Sequence, residues 1–332
     1  MCLDWSRMSP RTQDKPSWYI ENRVLRLPFG QRITFSMMTS HDILCIGSVL
    51  WDIIGRAETE MKAGYDVPGH ITRLPGGVAM NIAMTLGRFH LRPILITAIG
   101  TDPEGDELVT RAKAMGMVTE HIHRADRPTD RYMAVEGKNG LIAAIADAHS
   151  LEEAGSDILA PLEDGRLGSP EVPWSGGIAL DGNLTEELLA HIAASPLFAR
   201  ADLRVAPASP GKARRLMPLL THPRSTVYLN LIEANLITGT PSETTDRAAS
   251  ILLGQGARRV VITDGANPAT VASPNGSLSK APPAVRVRRV TGAGATVRAA
   301  HIAAEGGGVS GEVALDAALE AAARYIATED VP

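Results

Sequence analysis

The chain has 332 residues, of which 44% are hydrophobic and 21% charged, and a net charge of −4. That length fits one large α/β domain or two small ones, and the mild charge leaves no electrostatic footprint for nucleic acid. No apolar run approaches the roughly 18–20 residues of a membrane span. The only cysteines, Cys2 and Cys45, argue against a disulfide scaffold and fit a reducing cytoplasm.

The first forty residues read differently from the rest. Asp4, Arg7, Arg11, Asp14 and Lys15 break up any secretory hydrophobic core. Yet Trp5, Trp18, Tyr19, Phe29 and Phe35 fall here, in a chain with only 4% aromatic residues. Residues 1–40 are therefore either a poorly ordered extension, with translation starting upstream of Met37 or Met38, or an arm packing on the domain or a partner subunit.

From residue 41 to residue 332 a single domain is expected, in which strand-like and helix-like patterns alternate. Ile43-Leu44-Cys45-Ile46-Gly47 is a short apolar run ending in glycine, as in a buried parallel strand. A helix is predicted over 78–89, a strand over 93–99 and a helix over 105–115. Further strands are expected at 178–181, 203–206, 226–229, 259–263 and 284–287, with helices over 185–194 and 245–254. This alternation implies right-handed crossovers and a mostly parallel sheet covered on both faces. Residues 53–75 and 129–147 break the rhythm as extended pieces, the second with a hairpin signal at Asn139-Gly140. Together they predict a small antiparallel sheet standing off the main domain.

Candidate site residues fall where strands give way to helices. Asp52 lies just past the first strand, at the sheet edge where open α/β folds bind ligands, and suits two sugar hydroxyls; standing alone it reads first as a surface loop aspartate. Gly76-Gly77 allows close backbone approach to a ligand, with Asn81 one turn along offering a donor and an acceptor. Asp102 opens a helix as a turn or cap residue. Asn230 and Glu233 follow a strand and suit phosphate and water-held magnesium, or ordinary helix capping. Thr263-Asp264-Gly265 ends the next strand. Finally, Val290-Thr291-Gly292-Ala293-Gly294-Ala295 opens a long Ala-rich helix. Glycines there turn backbone N–H groups outward, and the helix dipole favours an anion. No Gly-Lys-Ser/Thr follows, so this is not a Walker loop, and Val297 breaks a dinucleotide fingerprint.

In order and spacing, Gly-Gly-x-x-x-Asn, Asn-x-x-Glu and Gly-Ala-Gly resemble the ribokinase-like (PfkB) carbohydrate kinases from residue 41 to the end. The resemblance implies a three-layer α/β/α domain with a mostly parallel sheet and a small β-sheet lid at about 53–75 and 129–147. It also implies ATP and Mg²⁺. Asp52, Gly76, Gly77 and Asn81 would hold the acceptor, Asn230, Thr263 and Gly265 would border the nucleotide, and Glu233 would serve the metal. Gly292, Ala293 and Gly294 would form the anion hole. Lids of this family pair between subunits, which leaves a homodimer open. Ala144-Ile145-Ala146-Asp147-Ala148, Asp181-Gly182-Asn183-Leu184 and Pro207-Ala208-Ser209-Pro210-Gly211-Lys212-Ala213 are similar to the pseudouridine kinase branch. The implied reaction is phosphorylation of pseudouridine at its 5′-hydroxyl.

Two positions depart from the family pattern. Ala295 stands where the family carries its proton-accepting aspartate, and alanine cannot accept a proton. Arg289 stands near the family's monovalent-cation site, where a guanidinium repels such a cation or substitutes for its charge. Three readings follow: a kinase impaired by Ala295, a non-catalytic nucleoside- or sugar-binding protein, and a kinase for another sugar.

Overall fold

The computed structural model describes residues 42–62, 64–138, 140–288 and 292–327, and the backbone of three short strands before them. Two compact units divide the chain, Met1–His41 and Asp42–Pro332. In the first, β1 (Tyr19–Glu21), β2 (Val24–Arg26) and β3 (Arg32–Thr34) pair in sequence order as an antiparallel meander. Trp5, Trp18, Phe29 and Phe35 lie outside the described residues.

The second unit runs β4 (Asp42–Ile46), β5 (Leu50–Arg56), β6 (His70–Gly76), α1 (Val78–Arg88), β7 (Arg92–Ile96), β8 (Ala98–Gly100), α2 (Pro103–Ala114), β9 (His123–Ala125), β10 (Arg131–Gly137) and β11 (Gly140–Asp147). Then follow α3 (His149–Ala154), α4 (Ala160–Glu163), β12 (Gly177–Asp181), α5 (Glu186–Ala194), β13 (Asp202–Ala206), α6 (Met217–Leu220), β14 (Ser225–Asn230), α7 (Leu231–Thr238) and α8 (Thr245–Gly254). The chain closes with β15 (Val260–Asp264), β16 (Asn267–Ser273), β17 (Gly276–Lys280), α9 (Ala293–Gly306) and α10 (Gly311–Ala327).

Eight strands form the main sheet in the order β17-β16-β15-β14-β13-β12-β4-β7. All pairings from β7 to β15 are parallel, and only β16 and β17 run against them. Successive strand residues point to opposite faces, and the core divides accordingly. Leu44, Leu180, Val205 and Leu229 pack with α5, α7 and α8 on one face. Cys45, Ala179, Tyr228 and Val261 pack with α1, α9 and α10 on the other. The result is the three-layer α/β/α arrangement that apolar strands buried on both faces require.

Residues 53–75 and 129–147 contribute to a separate four-stranded sheet, β11-β10-β5-β6. Its outer strand β11 is exposed along its whole length, so the sheet stands off the domain. It is not purely antiparallel as expected: its central pair, β5 and β10, is parallel, from Trp51 opposite Arg131 to Arg56 opposite Glu136. Each segment leaves the domain on one strand and returns on the next, and the two outgoing strands lie side by side. The hairpin signal falls at the β10–β11 turn, where Gly137 pairs Gly140; Asn139 lies outside the described residues.

Two further expectations are corrected. The strand over 93–99 is two strands, because β7 leaves the main sheet after Ile96 and β8 pairs with β9 instead. Residues 284–287 form no strand; Val285 and Val287 are 37% and 54% exposed, and an alternating pattern without a partner strand or a covered face has nothing to hold it extended. Among the described residues, no helix is long and apolar enough to cross a membrane.

Candidate active site

A cavity of about 530 Å³ opens beside the C-terminal ends of the parallel strands. Its wall gathers Asp52 from β5, Asn81 from α1, Asn230 and Glu233 from the β14–α7 junction, Thr263 from β15, and Gly292, Gly294 and Ala295 from the start of α9. Asp52, Asn230, Glu233 and Thr263 converge because each lies at or just beyond the end of a parallel strand, and the helix starts of α1 and α9 bring Asn81, Gly292, Gly294 and Ala295 to the same cavity.

On one side, Asp52 rests against the β6 backbone. A Cβ at Gly76 would lie 2.0 Å from Asp52 Oδ2, so only glycine leaves the carboxylate its place. Gly77 has φ +92°, and a Cβ there would lie 2.4 Å from the Ser48 carbonyl oxygen. These two glycines shape the wall without lining it. Burial lifts the Asp52 carboxyl to about 6.

Across the cavity, Asn230 and Glu233 form a capping box at the start of α7. Asn230 Oδ1 accepts the Glu233 N–H at 2.8 Å, and Glu233 Oε2 accepts the Asn230 N–H at 2.9 Å. The capping chemistry is present, yet both residues also line the cavity. Glu233 is 8% exposed, and burial raises its pKa. Thr263 Oγ1 donates to the Leu229 carbonyl at 3.5 Å. Gly265, at φ +56°, belongs to the turn between β15 and β16 and does not line the cavity. Asp102 caps α2, accepting the Gly105 N–H at 2.8 Å.

The start of α9 also reaches the cavity. Gly292 is its N-cap at φ +90°, a conformation that favours glycine. A Cβ there would also lie 2.5 Å from the Tyr325 hydroxyl oxygen. Ala293 opens the helix but lies off the cavity wall, whereas a Cβ at Gly294 would meet nothing within 4 Å. Ala295 offers the cavity a methyl group. Arg289, Val290 and Thr291 lie outside the described residues.

Several lining residues carry no site role in the sequence analysis: Ala206, Tyr228, Arg298 and Tyr325, with Pro207 and Ala208 known there only for their likeness to one branch. Arg298 is 2% exposed within a stretch, 296–304, that is buried throughout. Its Nη2 donates to the carbonyls of Leu180, at 2.7 Å, and Arg204. Nε and Nη1 are buried without a partner. Burial draws its pKa down to about 10, so the guanidinium stays charged at neutral pH. The available signal was a lone arginine among small residues on a helix apolar on every side.

Chemically, the cavity offers two carboxylates, Asp52 and Glu233, and the helix start of α9. That helix start suits an anion. Among the described residues no three His, Cys, Asp or Glu side chains cluster as a metal site. The single carboxylate of Glu233 nevertheless suits magnesium, which is usually held by one or two carboxylates plus phosphate oxygens and water.

Residues 40–330 match the model of the pfkB family carbohydrate kinases. The pseudouridine kinase of Escherichia coli (strain K12) is 26% identical over 258 residues, covering 76% of this chain and 80% of that protein. A carbohydrate kinase from Agrobacterium tumefaciens superposes with a TM-score of 0.71 at 27% identity, over 87% of this chain and 92% of that one. Arabidopsis thaliana ribokinase complexed with ribose and ATP superposes with a TM-score of 0.69 at 19% identity, over 89% and 95% of the two chains.

Proposed function

The chain belongs to the pfkB family of carbohydrate kinases, and on that premise we propose that it takes pseudouridine as acceptor and ATP as donor, with transfer to the 5′-hydroxyl impaired by Ala295. The observation that carries this reading is the convergence of Asp52, Asn81, Asn230, Glu233, Thr263, Gly292 and Gly294 on one cavity. Likeness to a pseudouridine kinase over 80% of its length supports the choice of acceptor.

In this reading Asp52, ionised, accepts hydrogen bonds from the acceptor's ribosyl hydroxyls, and Asn81 binds beside it. The four-stranded sheet that carries Asp52 acts as a lid and excludes water. Gly292 and Gly294 let the backbone of the α9 start approach the transferred group, where its N–H groups stabilise developing negative charge. Asn230 and Thr263 border the phosphates, and Glu233 holds magnesium through water. ATP supplies the phosphoryl group, and Mg²⁺ neutralises its charge when bound. No side chain at 295 receives the acceptor's proton, and a positioned base is typically worth about 10²–10⁴-fold in rate. Phosphoryl transfer leans on positioning and electrostatics, so residual turnover is expected. The buried, unpaired thiol of Cys45 suits a reducing cytoplasm.

Ala295 also favours a second reading, a nucleoside-binding protein without transfer. Assay of ATP-dependent phosphorylation in the parent and in Ala295→Asp separates the two. Transfer that appears or rises in the variant supports the kinase reading. Nucleoside binding without transfer in either form supports the second.

A further inference from the structure

Two elements that line the acceptor side of the cavity, β5 and α1, are tied together by a buried pair of side chains that do not line it. Ser48 is 3% exposed and Asp181 fully buried. Asp181 Oδ2 accepts the Ser48 N–H at 2.8 Å and the Ser48 hydroxyl at 2.5 Å. Its Oδ1 accepts the Asn183 N–H at 2.8 Å. Ser48 Oγ in turn accepts the Val78 N–H at 3.0 Å and Asn183 Nδ2 at 3.2 Å. One donor and two acceptor positions are all a hydroxyl has, so Ser48 is fully used.

The arrangement supplies what α1 lacks. Its N-cap residue, Gly77, has no side chain to satisfy the first N–H groups of the helix. Ser48 does so from the β4–β5 connection, its hydroxyl taking Val78 N–H and its carbonyl taking Met80 N–H at 3.3 Å. The packing leaves no slack: a Cβ at Gly47 would lie 2.2 Å from Asp181 Cβ, and one at Gly77 would lie 2.4 Å from Ser48 O. Asp52 lies on β5, the strand that follows the Ser48 connection, and Asn81 follows Val78 on α1.

We infer that Ser48, held by Asp181, is a positioning residue that fixes Asp52 and Asn81 at the separation an acceptor requires. The inference rests on the proposed acceptor role of those two residues. Neither Ser48 nor Asp181 touches the cavity, so both act through the elements they join. Among the described residues, no hydrogen bond joins Ser48 to the nucleotide side, built on α7, β15 and α9, whereas the Asp181 carboxylate also attracts the Arg298 guanidinium on α9.

The test is titration calorimetry of pseudouridine and, separately, of ATP with Mg²⁺, on the parent, Ser48→Ala, Asp181→Asn and the double variant. Each single change is expected to weaken pseudouridine about tenfold, the scale of one lost buried hydrogen bond, and Ser48→Ala to leave ATP within about twofold. Because the two residues act as one unit, the double variant should bind no more weakly than the weaker single variant. Ser48→Cys, close in size and a weaker donor, should fall between parent and Ser48→Ala and covers the case in which a harsher change fails to fold. Equal weakening of pseudouridine and ATP by Ser48→Ala would overturn the inference, since a merely structural role loosens both sides. Unchanged pseudouridine affinity would overturn it too. A parent that binds ATP but not pseudouridine, ribose or adenosine would instead sink the acceptor assignment, and the clamp with it.

Discussion

The acid response of acceptor binding tests the role of Asp52. Burial lifts its carboxyl from 3.8 to about 6. If the ionised form receives the sugar hydroxyls, apparent affinity follows the ionised fraction, which is nearly complete at pH 8 and about a tenth at pH 5. Pseudouridine should therefore bind about tenfold more weakly at pH 5 than at pH 8, whereas an ordinary aspartate would cost less than about 10% over that range. The folding linkage runs the other way. The folded state holds this proton more tightly than the unfolded chain, so the stability it contributes is full below 3.8 and lost as pH rises through about 6. Asp52→Asn should thus melt higher than the parent at pH 8 while binding the acceptor weakly at every pH. Calorimetry across buffers and thermal melting supply both readouts. A parent affinity flat from pH 5 to 8, or an equal acid slope in Asp52→Asn, would refute the reasoning.

Other consequences follow from the same geometry. Gly76→Ala drives a Cβ to 2.0 Å from Asp52 Oδ2; it should cost about 1–3 kcal/mol of stability and at least about tenfold in acceptor affinity, and a variant that binds like the parent would contradict the close approach. Glu233→Gln keeps a capping-box partner but removes the charge, so melting should hold while the gain in ATP affinity on adding Mg²⁺ shrinks; an unchanged gain would exclude Glu233 as the metal residue. His301 is fully buried, its Nδ1 2.9 Å from the Tyr228 hydroxyl oxygen, and burial pushes its pKa from 6.5 down to about 4. Its contribution to stability is present above 6.5 and declines as pH falls towards 4, by roughly 2–3 kcal/mol at pH 4.5. Urea denaturation at pH 7 and 4.5 should show that loss in the parent and not in His301→Gln, and equal losses would dismiss it.

Much of this fold was legible because its signals are local. The apolar runs at β4, β12, β14 and β15 are short and bounded, and burial on both faces leaves such runs little choice. The helices over 185–194 and 245–254 stand out as stretches between strands, and the structure caps them with Thr185 and Thr244. What stayed hidden depends on partners distant in sequence. The parallel β5–β10 pairing joins segments whose own patterns say nothing of direction. Val285 and Val287 alternate like a strand but have no sheet to join. Within the cavity, residues at strand ends could be read, since chain order brings them to one edge of the sheet. Arg298 and Tyr325 could not, because each reaches the cavity only through helix packing. The clamp of Ser48 and Asp181 is hidden for the same reason, although Asp181-Gly182-Asn183 is similar to one branch of the family.

If the cavity is that of a kinase lacking only its base, a carboxylate at position 295 restores turnover. Phosphate transfer from ATP to pseudouridine, measured for the parent and for Ala295→Asp under identical conditions, tests it most directly. The variant should form phosphorylated product at a rate at least about 10²-fold above the parent. No transfer from either protein, with pseudouridine bound by both, would contradict it.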